Sequence, residues 1–463
     1  MQPTPFLPFL TVVFIASFLL IPGQVSAQKR ALSIKEVLTL VQSGQPRLGA
    51  YRARSEAAGY NADLAKNTLV PQLTAGYQAG YATSNNITGM SYPGLIMPIS
   101  GAVTARNSYD LVPGTALTGL LQWEPLTFGQ RAAEIEKAAA QFKLAASAYD
   151  NALFQQRYAG ILIYLDILYF QKLLASQQAN IDRTKVGYQQ SLVLTKEGLR
   201  PGLDSVQFQG LLAQAVIERL STQRLYQAAA LELCRLTGVN SPPEDLVFSD
   251  TLPTTRTPLL PDTAGAFTQN PAYRYQESQV ALSAANLKET ERAWRPKFDV
   301  WANAYSRGSG IEANGTINKS DGWGLSRNNY GAGVQLSFPL LQFSRVQIQK
   351  KQSRALLLAD RSELSQIVIN LQKQVETALS NYRQNLLIAD QAPVLSRAAR
   401  LSYEGLLLSY QSGLVDFTRL TQGQYQLMNA EMMEANACLQ VWRSLLDVSI
   451  SKGDLSFFIN QLQ

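Results

Sequence analysis

The sequence predicts a mainly α-helical fold with a small β part, organised as two tandem structural repeats. Pro46 and Pro71 recur with the same spacing as Pro271 and Pro296, which is typical of an internal duplication. Residues 130–197 contain no proline and carry apolar side chains at helical spacing, so one helix of about 100 Å is expected at ~1.5 Å per residue. Each half is therefore predicted to contain a helix, a β-hairpin with a long loop, a very long helix, a turn and a shorter helix.

The amino-terminal residues predict export. An apolar run at 6–21 precedes Val25, Ser26 and Ala27, a pattern that fits cleavage by signal peptidase before Gln28. The run is shorter than the ~20 apolar residues of a helical membrane span. We therefore divide the chain into a signal peptide (1–27), a first repeat (28–240), a linker (241–260) and a second repeat (261–463).

Two predicted hairpins, near 71–125 and 296–339, alternate apolar and polar residues with the period of a strand. Each strand has about ten residues, the length at which a tilted strand crosses a bilayer, so this β part is predicted to be transmembrane. Four strands are too few to close such a barrel, because an unpaired edge in lipid leaves backbone groups unsatisfied. Several chains would therefore share one barrel. A half-buried soluble sheet explains the same alternation.

The long helix of the second half repeats apolar residues in steps of three and four. The seam consists of Leu364, Ile367, Leu371, Val375, Ala378, Tyr382, Leu386 and Ala389. Such a seam is typical of helices that pack nearly parallel to one another. Pro393 is expected to kink this helix. A solvated coiled coil accounts for the pattern equally well.

Each long helix is predicted to end at a glycine, Gly198 or Gly413, and to turn back into a shorter helix. Glycine readily adopts the left-handed conformation that ends many helices. Asp204 is suited to cap the amino terminus of the first returning helix. The two turns would form the tips of two helical hairpins, and chain reversal alone explains the residues found there.

The composition argues against an enzyme. Histidine is absent from the chain, which excludes Ser-His-Asp and Cys-His catalysis and His-ligated zinc. The net charge of +7 is dispersed along the helices, a pattern that does not favour nucleic-acid binding. Cys234 and Cys438 are expected to be free thiols in packed helices. The methionine cluster Met428, Met432 and Met433 is expected to fill space between helices, so we predict no metal site and no cofactor.

Several motifs, taken in order, resemble the TolC family of outer-membrane efflux proteins, also called outer membrane factors. These motifs are the duplicated repeats, Asn270-Pro271 ahead of a helix that ends at Arg295-Pro296, the strand exit Phe338-Pro339-Leu340, and the tip sequence Tyr410-x-x-Gly413-Leu414. The resemblance implies a homotrimer in which twelve strands form one β-barrel in outer-membrane lipid and twelve helices form an α-helical barrel tunnel across the periplasm of a Gram-negative bacterium. It also implies two partners, a periplasmic adaptor (membrane fusion protein) and an inner-membrane transporter.

The same resemblance assigns an adaptor-docking and gating role to the tips. The residues that match the family's tip motif are Gly198, Leu199, Asp204, Gly413 and Leu414. Tyr410 and Asp204 look like two members of the network that holds the family's channel closed. The match then breaks, because Val415 replaces an expected arginine, and Arg419 and Gln422 replace expected acidic residues. We hypothesise that Arg419 pairs with Asp204 or Asp416 in the closed state.

The implied function is passive. The chain would be the outer-membrane exit duct of a tripartite efflux or type I secretion system, and the inner-membrane pump would select the cargo. An exported soluble coiled-coil or helical-repeat scaffold is the alternative. The sequence leaves open the exported substrate, the particular pump and adaptor, the ion selectivity and the resting state of the gate.

Overall fold

The computed structural model describes residues 30–85, 103–198, 202–240, 242, 245–250, 258–259, 267–312 and 314–462. The predicted signal peptide, residue Leu199 and parts of the predicted linker lie outside these ranges. Fourteen helices and strands follow one another within them. In chain order they are β1 (Arg30–Leu32), α1 (Ile34–Gly44), α2 (Pro46–Asn67), β2 (Gln72–Ala82), β3 (Val112–Leu126), α3 (Gln130–Lys196), α4 (Gly202–Thr237), β4 (Leu246–Phe248), α5 (Pro271–Arg292), β5 (Lys297–Ser309), β6 (Arg327–Ser337), α6 (Phe343–Gln411), α7 (Phe417–Lys452) and α8 (Ser456–Gln461).

Local sequence explains where the helices before the strands begin. α1 starts in a capping box, in which the Ser33 side chain accepts from the backbone amide of Glu36 and the Glu36 carboxylate accepts from the amide of Ser33. α2 and α5 start at Pro46 and Pro271, where the missing amide proton costs nothing. The Asn270 side chain caps α5 by accepting from a backbone amide. The first proline of each repeated pair therefore begins a helix, whereas Pro71 and Pro296 come directly before β2 and β5.

Two long helical hairpins dominate the chain. α3 and α6 contain 67 and 69 residues, and each packs along a 36-residue partner, α4 and α7 respectively. α2 and α5 contain 22 residues each; α2 packs against α3, and α5 packs against both α3 and α6. α6 continues through Pro393, and the kink expected at this residue remains a prediction. The equal lengths agree with the predicted duplication, which remains a prediction.

The four long strands form one antiparallel sheet with the order β2-β3-β5-β6. The cross-strand register places apolar residues of all four strands on one face. Members of this apolar face include Leu73, Tyr77, Tyr81, Leu117, Leu121, Val300, Ala302, Tyr330, Val334 and Leu336. The opposite face, which we call the polar face, carries Gln78, Thr118, Gln122, Trp301, Asn303 and Asn329. β2 and β6 are edge strands within this chain.

The main core lies around the middle of the helical part. It collects fully buried residues of α1, α3, α4, α7 and α8, including Ile161, Tyr164, Leu233, Leu445 and Phe458. The short parallel pair β1 and β4 closes one side, and the Tyr164 hydroxyl donates to the Asp250 carboxylate at 2.8 Å. Because α1, β1, β4 and α8 meet here, this core anchors the chain ends to the hairpins.

Within the described part of the chain, α3 is the one helix whose length and composition would suit a membrane span. Its most apolar stretch coincides with core residues. Ile161, Leu165 and Ile167 are all completely buried. Packing against neighbouring helices therefore accounts for part of the apolar character of this stretch, of which 39% is buried.

Candidate functional site at the helical tips

Both hairpins turn at glycines in the left-handed conformation. Gly198 has φ 71° and Gly413 has φ 76°, a region that side chains disfavour. At the second tip, the amide of Gly413 donates to the Tyr410 carbonyl and the amide of Leu414 donates to the Ser409 carbonyl, at 3.1 and 2.9 Å. These two bonds form a Schellman motif, which satisfies the last carbonyl groups of α6.

A hydrogen bond joins the two hairpins at the tips. The Tyr410 hydroxyl, near the end of α6, donates to Oδ2 of Asp204, in the first turn of α4, at 3.0 Å. Tyr410 is buried, whereas Asp204 is half-buried. A hydrogen bond to a carboxylate typically contributes ~1.5–3 kcal/mol. The structure thus brings together the two residues that sequence reasoning assigned to one network, and their gating role remains a prediction.

Aromatic rings surround this bond. Phe208 of α4 makes edge-on contacts with Tyr410 and with Phe417 of α7, at centroid distances of 6.3 and 4.7 Å. A small apolar core joins α4, α6 and α7 here, and we call it the tip cluster. Its buried members are Phe208, Tyr403, Tyr410, Leu420 and Leu427. The tip cluster therefore fastens the first hairpin to the second.

Two helix glycines allow the close packing of the tip cluster. A Cβ at Gly187 of α3 would lie 2.6 Å from the Phe208 ring. A Cβ at Gly423 of α7 would lie 2.5 Å from the Leu406 side chain. Contacts this short are sterically excluded, so neither position accepts a side chain without movement of its neighbour. The sequence reasoning did not single out either glycine.

The structure corrects one expectation about the charged tip residues. α4 begins at Gly202, so Asp204 lies inside the first turn and does not cap the helix. In a single chain, no carboxylate of the described residues lies within ion-pair distance of the Arg419 guanidinium, and its pairing in the closed state remains a prediction. Asp416 instead caps α7, and its Oδ1 accepts from the backbone amide of Arg419 at 2.9 Å.

The remaining tip residues are exposed. Leu414 is 78% exposed, and Asp416, Arg419 and Gln422 are also solvent-accessible on this single chain. Their side chains are therefore available to a partner, whether a second copy of the chain or another protein. Leu199 falls outside the described residues.

A buried ion network that sequence reasoning missed lies above the tips. The Glu431 carboxylate on α7 receives two hydrogen bonds from Arg183 of α3, at 3.1 and 2.9 Å, and one from Arg400 of α6, at 3.1 Å. Ser176 adds a fourth, at 3.0 Å. Burial alone would raise the pKa of Glu431, but the charges and hydrogen bonds of its partners, chiefly Arg183, outweigh burial and lower the pKa. We call these four residues the Glu431 network.

Between the Glu431 network and the tips, polar side chains continue the contact of α3 with α7. The Gln424 amide donates to Oδ1 of Asn180 at 3.1 Å, and the Asn180 amide donates to the Met428 sulfur at 3.6 Å. A small cavity of about 40 Å³ lies beside these residues. Met428 is half-buried between helices, as expected of a filling residue, whereas Met433 is exposed. In the described ranges no three His, Cys, Asp or Glu residues are grouped to hold a metal ion.

Further from the tips, polar pairs join α3 to α7 beside the main core. The Tyr158 hydroxyl donates to Asp447 at 3.1 Å, and Arg443 pairs with Asp166. Burial, with the nearby Asp447 charge, raises the pKa of Tyr158 to about 12. Burial also raises the pKa of both carboxyl groups, against the opposing effect of Arg443. These pairs join the two helices through polar contacts beside the main core.

Two long helical hairpins joined to a four-stranded antiparallel sheet define the fold of a class of outer-membrane channels. Among solved structures, the outer-membrane channel OprN superposes with a TM-score of 0.74 at 19% identity, over 91% of this chain and 89% of that chain. The outer membrane protein VceC from Vibrio cholerae superposes with a TM-score of 0.73 at 13% identity, over 91% of this chain and 96% of that chain. CusC, described for its transmembrane channel formation, superposes with a TM-score of 0.73 at 13% identity, over 91% of this chain and 92% of that chain.

Sequence comparison gives one curated relative of low identity. No family model matches the chain. Nodulation protein T of Rhizobium leguminosarum bv. trifolii is 23% identical over 338 residues, which cover 71% of this chain and 70% of that protein. The chain therefore has the fold of these outer-membrane channels, and the resemblance to the TolC family is confirmed at the level of the fold.

Proposed function

We propose that this protein is an outer-membrane channel that serves as the passive exit duct of an efflux or secretion system. Three copies would form it, with twelve strands in one barrel and twelve helices in a tunnel through the periplasm, and each chain would contribute two tandem repeats. The observation that carries this proposal is the sheet, whose apolar face is exposed and whose two edge strands pair on one side only among the described residues.

In a single chain, the sheet exposes large apolar side chains to solvent. On the apolar face Leu73 is 75% exposed, Tyr77 65% and Val334 66%. A contiguous apolar surface of this kind marks a membrane or protein interface. Eight residue steps separate Leu73 from Tyr81, or about 27 Å at ~3.4 Å per residue, which matches the ~25 Å apolar band of outer-membrane barrels.

The unpaired sides of the edge strands β2 and β6 indicate that further copies of the chain pair with them. β2 and β6 present 11 residues each with one side unpaired, and an edge of this length in lipid would leave many backbone groups without hydrogen bonds. Pairing of β2 of one copy with β6 of the next would satisfy both edges. Closure at three copies gives twelve strands, above the minimum of eight for such barrels.

Aromatic and large apolar side chains collect where the strands meet the helices. Trp123, Trp294 and Phe338 lie at this end of the sheet, and each is more than a third exposed. The Trp123 indole donates to the Leu69 carbonyl at 2.9 Å. Tryptophan rings are enriched at the boundary between lipid and water. This belt supports a membrane boundary at the junction, with the long helices outside the membrane.

We further propose that the tip cluster and the Tyr410–Asp204 hydrogen bond hold the periplasmic end closed. Opening by an outward swing of one hairpin would separate α4 from α6 and α7, so it would have to break this bond and expose the Phe208 ring. A periplasmic adaptor with its inner-membrane pump would dock at the exposed tip residues, which include Leu414 and Arg419. No step of this function requires catalysis.

A matched pair of substitutions tests the membrane assignment. Tyr77 lies on the apolar face and Gln78, the next residue, on the polar face. We expect Tyr77→Arg to abolish assembly into the outer membrane, because arginine facing lipid near the midplane costs ~2–4 kcal/mol in each copy. Gln78→Arg would face the pore and assemble normally.

The readouts are the amount of protein in the outer-membrane fraction, the heat-dependent gel mobility and the mass in detergent. The channel is supported if wild type and Gln78→Arg are recovered from the membrane fraction as trimers and Tyr77→Arg is not. Equal tolerance of both substitutions, or a water-soluble monomer, would overturn it and favour an exported soluble scaffold.

A further inference from the structure

The loop between β5 and β6 folds back onto the apolar face of the sheet. The Trp323 ring stacks edge-on against Tyr81, with 5.4 Å between centroids. The Thr115 hydroxyl donates to the Gly322 carbonyl at 3.0 Å, and the Ser306 hydroxyl donates to the Leu325 carbonyl at 3.2 Å. Tyr81, Thr115 and Ser306 all belong to the apolar face by their register.

Glycines permit this close approach. A Cβ at Gly308, which lies opposite Thr115 in the register, would overlap the Gly324 carbonyl oxygen. A Cβ at Gly322 would overlap the Pro113 carbonyl oxygen. The backbone around the short 3-10 turn Asp321–Trp323 therefore lies directly on the strands. Independent contacts at Thr115, Ser306 and Gly308 place the loop on the same side.

We infer that residues 310–312 and 314–326, which we call the ledge, lie against the headgroup layer of the outer-membrane lipid and do not cover the pore mouth. The inference rests on the proposed channel, because the apolar face becomes the lipid-facing side only when the sheet joins a barrel. Lipid headgroups and the adjoining acyl chains are the occupant that fits, since the ledge continues the apolar band at its loop end.

The side chains of the ledge suit this boundary. Trp323 is 50% exposed, Leu325 40% and Ile317 37%. A tryptophan ring combines an apolar body with one hydrogen-bond donor, which is the chemistry favoured at the headgroup level. The ledge is held internally by bonds such as that from the Asn318 amide to the Gly310 carbonyl, at 2.9 Å, so it presents a built surface.

The polar face supplies a matched control. Trp301 lies on it, over Gly331 and Gly333, and a Cβ at Gly333 would come within 2.8 Å of the Trp301 ring. In a barrel Trp301 would face the water-filled interior. Trp323 and Trp301 therefore belong to one sheet and should sense opposite environments. Trp123, at the helix end of the apolar face, reports whether the barrel has entered the membrane.

Fluorescence quenching tests the inference. The full chain is reconstituted in phosphatidylcholine vesicles with brominated acyl chains, and the contribution of each ring is the difference between wild type and W323F, W301F or W123F. Lipid contact should remove about half or more of the Trp323 contribution, because interfacial tryptophans reach the acyl boundary. The Trp301 contribution should stay unchanged.

The outcomes separate the inference from the proposed function. Quenching of Trp323 and Trp123 without quenching of Trp301 supports the ledge. Quenching of Trp123 alone overturns the ledge and leaves the channel standing. Absence of quenching at both Trp123 and Trp323 shows that the chain does not insert, which overturns the channel and the ledge together.

Discussion

Substitution of Glu431 by glutamine tests whether the two hairpins are held together above the tips. Glu431 lies 15 residues beyond Asp416 along α7, about 22 Å from the tip at ~1.5 Å per residue. Its side chain is 11% exposed, and that of its main partner Arg183 is 24% exposed. The amide would keep the shape of the side chain but leave the Arg183 guanidinium without a counter-charge.

The expected loss is about 3 kcal/mol, the lower end of the ~3–5 kcal/mol measured when one partner of a buried ion pair is removed. The lower end applies because Arg400 is 57% exposed and contributes little. The matched control is Glu434→Gln on the same helix, since Glu434 makes no ion pair with any described residue. Thermal unfolding in detergent, followed by circular dichroism at one scan rate, should show a lower transition for Glu431→Gln only.

The pH dependence has a definite sign. The pKa of Glu431 is lower in the folded chain than in the unfolded chain, so its pairing stabilises the fold above the unfolded pKa and is lost as pH falls through the folded pKa. The difference between wild type and Glu431→Gln should therefore shrink in acid. Equal transitions for Glu431→Gln and Glu434→Gln at neutral pH, or a difference that persists in acid, would refute this reasoning.

Three further predictions concern the tips. Tyr410→Phe should increase the closed-state conductance, because it removes the 3.0 Å hydrogen bond to Asp204 and keeps the ring. An unchanged closed-state conductance in a planar bilayer would contradict the proposed role of this bond. Gly413→Ala should destabilise the tip by about 1–2 kcal/mol, because the backbone there has a φ of 76°. Gly405→Ala, in the interior of α6 with open space at its Cβ, should instead stabilise the helix by up to ~1 kcal/mol. Hydrogen exchange of the tip amides compares the two variants. Arg419→Glu should shift the channel towards cations if this exposed side chain lines the entrance, and an unchanged reversal potential in a salt gradient would remove Arg419 from the pore.

Local signals in the sequence were sufficient for the long helices, the four long strands and the hairpin turns. They did not reveal the short strands β1 and β4 or the short helix α8. The prolines at 46 and 271 begin helices, and the glycines at 198 and 413 adopt the left-handed conformation that ends helices. The alternation of residues in the hairpins correctly separated the two faces of the sheet, because register follows from the period of two. These features depend on neighbours in the chain, which a sequence displays directly.

Contacts between distant residues were harder to predict. Sequence reasoning paired Tyr410 with Asp204 only through the family resemblance, and it gave Arg419 an ion pair that a single chain does not form. It missed the Glu431 network, because its members lie on α3, α6 and α7 and share no local pattern. Glu431 by itself gave no signal, because a carboxylate on a helix is usually solvated.

The most direct test of the channel is single-channel recording of the purified protein in a planar bilayer, alongside its mass in detergent. A trimer that gives discrete conductance steps, which become larger in Tyr410→Phe, is the expected result. A protein that inserts as a trimer but stays silent in both wild type and Tyr410→Phe would contradict the proposed gate. A water-soluble monomer without any conductance would contradict the membrane channel itself.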